Sequence, residues 1–139
     1  MSISTILDIA STGLSAQRLR VQLIATNIAN SETTRTKEGG PFRRKDAVFQ
    51  AQDLGFRGEL AEAGVKVASI QASQEPFLTR YEPNHPDADA NGLVSYPNVN
   101  PVEEMVNLTE ASRAYEANIA VVRSAKSMAS SALEILRVQ

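Results

Sequence analysis

The sequence predicts an α+β chain, with long N- and C-terminal helices and a small irregular β-rich module between them. Three observations predict it. Residues 3–28 carry an apolar seam at heptad spacing. After Pro101 the remaining 38 residues contain neither Pro nor Gly. The middle, 35–98, holds all but one of the Gly residues and all but one of the Pro residues.

In the first helix, alternating spacings of four and three pick out Ile3, Leu7, Ala10, Leu14, Gln17, Val21, Ile24 and Ile28, seven of eight apolar. Gly13 weakens that helix by about 1 kcal/mol relative to Ala. Gln17 is the polar interruption; it either fixes register in a helix pair or marks a solvated point of the seam. The run closes on Asn27 and Asn30, followed by the polar stretch Ser31-Glu-Thr-Thr34. Asn30 is expected to end the helix, because Asn tolerates the left-handed conformation and can satisfy loose carbonyls.

The C-terminal helix begins after Asn100-Pro101, where Pro suits a first turn. Its seam is Leu108, Ala111, Tyr115, Asn118, Val122, Ala125, Ala129, Ala132 and Leu136, eight of nine apolar. Met105, Ile119 and Leu133 lie in a row beside it, and Val121, Met128 and Ile135 lie further round. Such a face is wider than a two-stranded seam needs. A helix of some 35 residues would be roughly 50 Å long, more than a partner of about 27 residues can cover. Asn27 and Asn118, set in otherwise apolar seams, are expected to hydrogen-bond across helices and fix register.

Between the helices, Val65–Ile70 alternates in part and reads as a strand. Phe77–Tyr81 and Leu93–Tyr96 are further short strands, bounded by Pro76, Pro83, Pro86 and Pro97, and Phe42–Phe49 is an extended segment. These provide too little for a large core.

Composition excludes several classes. A net charge of −2 leaves no large basic field for nucleic acid or an anionic membrane. The chain has no cysteine, which removes disulfides, thiolate catalysis and zinc–thiolate sites. No apolar run approaches the roughly 18–20 residues that span a bilayer. The N-terminus has no early Lys or Arg and carries Asp8 in its apolar run, so no cleaved signal peptide is expected.

Candidate chemistry is thin. Asp87, Asp89, Asn91 and Gly92 match the opening of a calcium loop, but its twelfth position is Asn98 instead of Glu. A turn before the next strand is the simpler expectation. His85, the single histidine, stands between Pro83 and Pro86 and has no second imidazole or thiol to work with. Glu103 and Glu104 sit where acidic side chains complement a helix dipole. The cluster Gly39-Gly-Pro-Phe-Arg-Arg-Lys45 is expected to make protein contacts or face solvent. No catalytic residue, metal or cofactor is expected.

Ala25-Thr-Asn-Ile-Ala-Asn-Ser-Glu-Thr-Thr34 resembles the signature that ends the first helix in the flagellar rod and hook family. His85-Pro-Asp-Ala-Asp89 with Gly92, Pro97-Asn-Val-Asn100 and Ser112-Arg-Ala-Tyr-Glu-Ala-Asn118 resembles the C-terminal half of the family's proximal rod members. The resemblance covers 1–34 and 80–136. It implies that the two helices pair as an antiparallel coiled-coil inner domain, 1–34 with 99–139, around an outer module of 35–98. It implies a structural subunit of the proximal rod, exported uncleaved through the flagellar type III apparatus into the periplasm. Expected partners are the other proximal and distal rod proteins, the rod–ring junction protein and the membrane ring. Residues expected at assembly surfaces are Leu7, Leu14, Val21, Ile24, Asn27, Ile28 and Asn30 on the first helix. On the second they are Met105, Leu108, Tyr115, Asn118, Ile119, Val122, Ala129, Leu133 and Leu136. A coiled-coil adaptor is the alternative the heptads allow.

Overall fold

The computed structural model describes residues 3–53 and 63–137. Helix α1 (Ile3–Ala29) is followed by strands β1 (Lys45–Asp53), β2 (Ala63–Ala72), β3 (Leu78–Tyr81) and β4 (Leu93–Tyr96), and then by helix α2 (Pro101–Arg137). Each expected element is present. The strand after Phe42 starts later than expected, at Lys45, and the one at Val65–Ile70 is longer at both ends.

Both helices are set by their seams. Along α1 every seam position from Ile3 to Ile28 is at least half covered, with Ala10 and Ile24 buried. Along α2, Ala111 and Ala125 are fully buried, and Leu108, Tyr115, Asn118, Val122 and Ala129 are half-buried between and around them. Asn27 in the last turn of α1 reaches Glu104 in the first turn of α2. Gly13 backs onto Asn118, whose amide would stand 3.2 Å from a Cβ there. The small residues let the two backbones come close.

The ends of the helices are closed by asparagines, each in its own way. At α1, the Asn30 N–H and its Nδ2 both donate to the Thr26 carbonyl, at 3.1 and 2.9 Å. Asn30 is not in the left-handed conformation, since no non-glycine residue among those described has positive φ. The amide side chain satisfies the loose carbonyl directly, so the backbone has no need of the strained turn. At α2, Asn100 caps the start: its Oδ1 accepts from the Val102 N–H (3.1 Å) and its carbonyl from the Glu104 N–H (3.0 Å).

The strands form two separate antiparallel pairs, β1 with β2 and β3 with β4. In the first, Lys45 faces Ala72 and Asp53 faces Ala63, with a bulge between Val48 and Phe49. This ribbon leans on α1, where the Thr12 hydroxyl accepts from the Val65 N–H at 3.1 Å. In the second pair Leu78 faces Tyr96 and Tyr81 faces Leu93. Val94, Tyr96, Pro97 and Val99 are buried, as is Phe42 in the loop between α1 and β1.

The loop from Glu82 to Gly92 is a set of turns. Asp89 Oδ1 accepts from the Asn91 and Leu93 N–H groups at 2.8 and 2.9 Å, and Gly92 supplies the positive φ of +75°. The Asp89 carboxylate therefore serves the backbone of the turn. Among the described residues no helix is long and apolar enough to cross a membrane.

Candidate assembly interface

Three segments distant in sequence meet where α1 ends and α2 begins. Asn27 is fully buried, and its amide is used on both sides. Its Oδ1 accepts from the Lys45 N–H at 2.9 Å, while Nδ2 donates to the Lys45 carbonyl at 3.0 Å and to Glu104 Oε2 at 2.9 Å. The side chain thus pairs with the start of β1 as another peptide group would. Glu104 is 1% exposed. Its second oxygen, Oε1, accepts from Arg44 Nε at 2.8 Å, and more weakly from Asn107 Nδ2 at 3.4 Å. Arg44 also pairs with Asp46.

A buried carboxylate is tolerable only when its lone pairs are satisfied and its charge is met. Arg44 meets it, and the exchange is mutual. Burial alone draws the Arg44 pKa down, but the Glu104 hydrogen bond and the fields of Asp46, Glu104 and Glu103 outweigh it, and the net direction is upward. The guanidinium therefore stays charged through the neutral range, and its contribution to stability would be lost only as pH rises into strong alkali.

A second set of contacts ties the loop after α1 to the turn at 85–89. The Thr34 hydroxyl donates to Asp87 at 2.7 Å and Arg35 pairs with the same carboxylate at 2.5 Å. The Asp87 N–H donates in turn to His85 Nδ1 at 3.1 Å, and the His85 ring meets Tyr96 edge-on. His85 is thus an acceptor within a turn. Tyr96 donates to Glu82 at 2.9 Å; that bond first, then burial and the carboxylate's charge, raise the phenol pKa.

The residues expected at assembly surfaces divide by exposure. Ile24 and Asn27 are buried within the chain. Leu7, Leu14, Val21, Ile28 and Asn30 on α1, with Leu108, Tyr115, Asn118, Ile119, Val122 and Ala129 on α2, are half-buried. Met105 and Leu133 are exposed, and the side chain of Leu136 lies outside the described residues. Asn118 corrects one expectation. It makes no bond to α1; its Nδ2 donates to the Ala114 carbonyl of its own helix at 3.1 Å, because Gly13 opposite offers no side chain. The Gln17 Oε1 is buried without a hydrogen-bond partner among the described residues. Sequence reasoning missed Arg44 and Lys45 as partners of the buried amide, and it read Glu104 as a dipole residue. The one available signal was Glu104 beside Glu103, two acids where one suffices.

The geometry is of surfaces and joints, and comparison with known proteins agrees. A family model described as flagella basal body rod protein matches residues 7–37, and one described as flagellar basal body rod FlgEFG protein C-terminal matches 90–135. A flagellar basal-body rod protein FlgC of Borreliella burgdorferi is 45% identical, with 99% of both chains covered. The chain belongs to the FlgC family of flagellar basal-body rod proteins. The Salmonella typhimurium relative of that name is 46% identical over 92% of this chain and 93% of its own. The one from Bacillus subtilis is 39% identical over 93% and 95%. As a member of this family the chain is a structural subunit of the flagellar rod and not an enzyme.

Proposed function

We propose that α1 and α2 pair as an antiparallel coiled coil that forms the inner domain of a proximal rod subunit, with 35–98 as its outer module. The observation that carries this reading is the pairing of Asn27, near the end of α1, with Glu104, near the start of α2. Gly13, nearer the start of α1, stands against Asn118, further along α2, which has the sense of an opposite run. The rod so built links the membrane ring to the distal rod and hook and carries torque. Its partners are the other proximal and distal rod proteins, the rod–ring junction protein, the ring and the type III export apparatus. The subunit is exported without cleavage and assembles in the periplasm. The seam residues named above serve both the pairing within the chain and the contacts with neighbours.

Asn27 is the residue on which the helix pair and the outer module depend together. Asn27→Leu removes its bonds to Lys45 and Glu104, and each polar group left buried without a partner costs about 1–3 kcal/mol. Swimming in soft agar and the recovery of rods from purified basal bodies should both be lost. Unchanged motility with normal rods would remove the register role from this residue.

A further inference from the structure

We propose that the Asn91–Gly92 peptide is a self-modification site, at which the chain converts Asn91 to isoaspartate once the turn around it opens. Asn91 is the single asparagine followed by glycine. The residue is exposed, and among the described residues its side-chain amide makes no hydrogen bond. Such an amide can be attacked by the backbone nitrogen of the next residue, and glycine hinders the attack least because it has no Cβ. At Asn100 the same attack is impossible, since Pro101 has no N–H. The amides of Asn27, Asn30, Asn98, Asn107 and Asn118 are each held by a hydrogen bond.

The step needs no oxidant or reductant. The Gly92 nitrogen gives up its proton and bonds to Asn91 Cγ, the bond from Cγ to the side-chain nitrogen breaks, and ammonia leaves with that proton. The cyclic imide then takes up a water molecule. Opening at the side-chain carbonyl gives aspartate. Opening at the main-chain carbonyl gives isoaspartate, whose backbone runs through Cγ and is longer by a carbon.

The turn keeps that nitrogen from reacting. The Gly92 N–H donates to the Asp89 carbonyl at 3.0 Å, and the Gly92 carbonyl accepts from the Glu82 N–H at 2.9 Å. On either side, the Asn91 and Leu93 N–H groups donate to Asp89 Oδ1 at 2.8 and 2.9 Å. The Asp89 N–H donates in turn to the Leu93 carbonyl at 2.9 Å. An N–H bound to a carbonyl keeps its proton, so the nitrogen attacks only in the fraction of chains whose turn is open. Asp89 is therefore the gate. Isoaspartate also prevents the turn from closing again. Gly92 lies so close to Tyr81 and Pro83 that a Cβ there would stand 2.9 and 3.2 Å from them. A longer backbone has no room to bulge at that point while both Gly92 bonds are kept. Chains whose turn has stood open are thereby marked permanently, and their β3–β4 pair loosens.

The test is to age the full-length chain in warm, mildly alkaline buffer and follow Asn91 by peptide mass spectrometry, with an isoaspartyl methyltransferase to label the product. Conversion should run about tenfold or more slower in the folded chain than in urea, the factor that an opening cost of 1.4 kcal/mol gives. Exchange of the Gly92 amide hydrogen should be slowed by the same factor, because both reactions need its bond to Asp89 broken. Asp89→Ala should bring conversion to within a few-fold of the rate in urea. The exchange comparison uses the unaltered chain, so it stands even where Asp89→Ala unfolds the strand pair. Conversion as fast in the folded chain as in urea, or unchanged by Asp89→Ala, would overturn the gate. No conversion at Asn91 in urea would overturn the site. Each of these results leaves the rod-subunit reading untouched.

Discussion

Glu104 shows how much one buried charge can organise. It can be buried only if Asn27, from the end of α1, and Arg44, from the approach to β1, arrive with it. The amide of Asn27 is then held by the backbone of Lys45 as well. Removing one member strands the others, which is why single substitutions here should act more severely than the hydrogen bonds themselves suggest. Gly92 is a different kind of constraint. Its φ of +75° suits glycine, and a Cβ there would stand 2.9 Å from the Tyr81 ring and 3.2 Å from Pro83. Gly92→Ala should cost about 1–2 kcal/mol for the backbone alone, and the close contacts add to it. Hydrogen exchange of the β3 and β4 amides should speed up about tenfold, since 1.4 kcal/mol is a factor of ten. Unaltered protection would show that the turn does not hold the strand pair.

At the scale of the elements, the helices were legible because a seven-residue repeat survives any local exception. The seam from Ile3 to Ile28 contains a Gly next to it and a Gln within it, and it still folds as one helix. The short strands were legible from their Pro and Gly boundaries. The polar joint was not, because a buried carboxylate and an exposed one look alike in sequence, and the difference lies in residues 60 or more positions away. Asn118 failed in the opposite sense. An amide in a seam was expected to reach across, but the residue it faces is Gly13, and it turned back to its own helix. That contact gives a sharp test of close helix approach. Gly13→Ala gains about 1 kcal/mol of helix propensity, yet its Cβ meets the Asn118 amide. Combining it with Asn118→Ala should relieve the crowding, so motility impaired by the first substitution should recover with the second. A coupling of about 0.5–3 kcal/mol is the range for residues in contact. Strictly additive effects would mean that the helices are further apart.

For the molecule as a whole, the notable property is how little of the long helices is covered. α2 has 37 residues against the 27 of α1, and Met105, Val121, Met128, Leu133 and Ile135 remain exposed along it. Along the helix pair the buried apolar side chains are mostly small, Ala10, Ala16, Ala111 and Ala125, and the largest fully buried side chains are Glu104, Val94, Asn27 and Pro97. Each ordered residue costs about 1–2 kcal/mol of backbone entropy, and a lone chain recovers only part of that from contacts within itself. The helices are therefore expected to order on incorporation, as segments that fold when they bind. The most direct test is hydrogen exchange of the α1 and α2 amides, compared between dilute purified monomer and isolated basal bodies. Rapid exchange along both helices in the monomer and strong protection in the basal body is the expected result. Equal protection in the two, with helices that already resist protease in dilute solution, would contradict it.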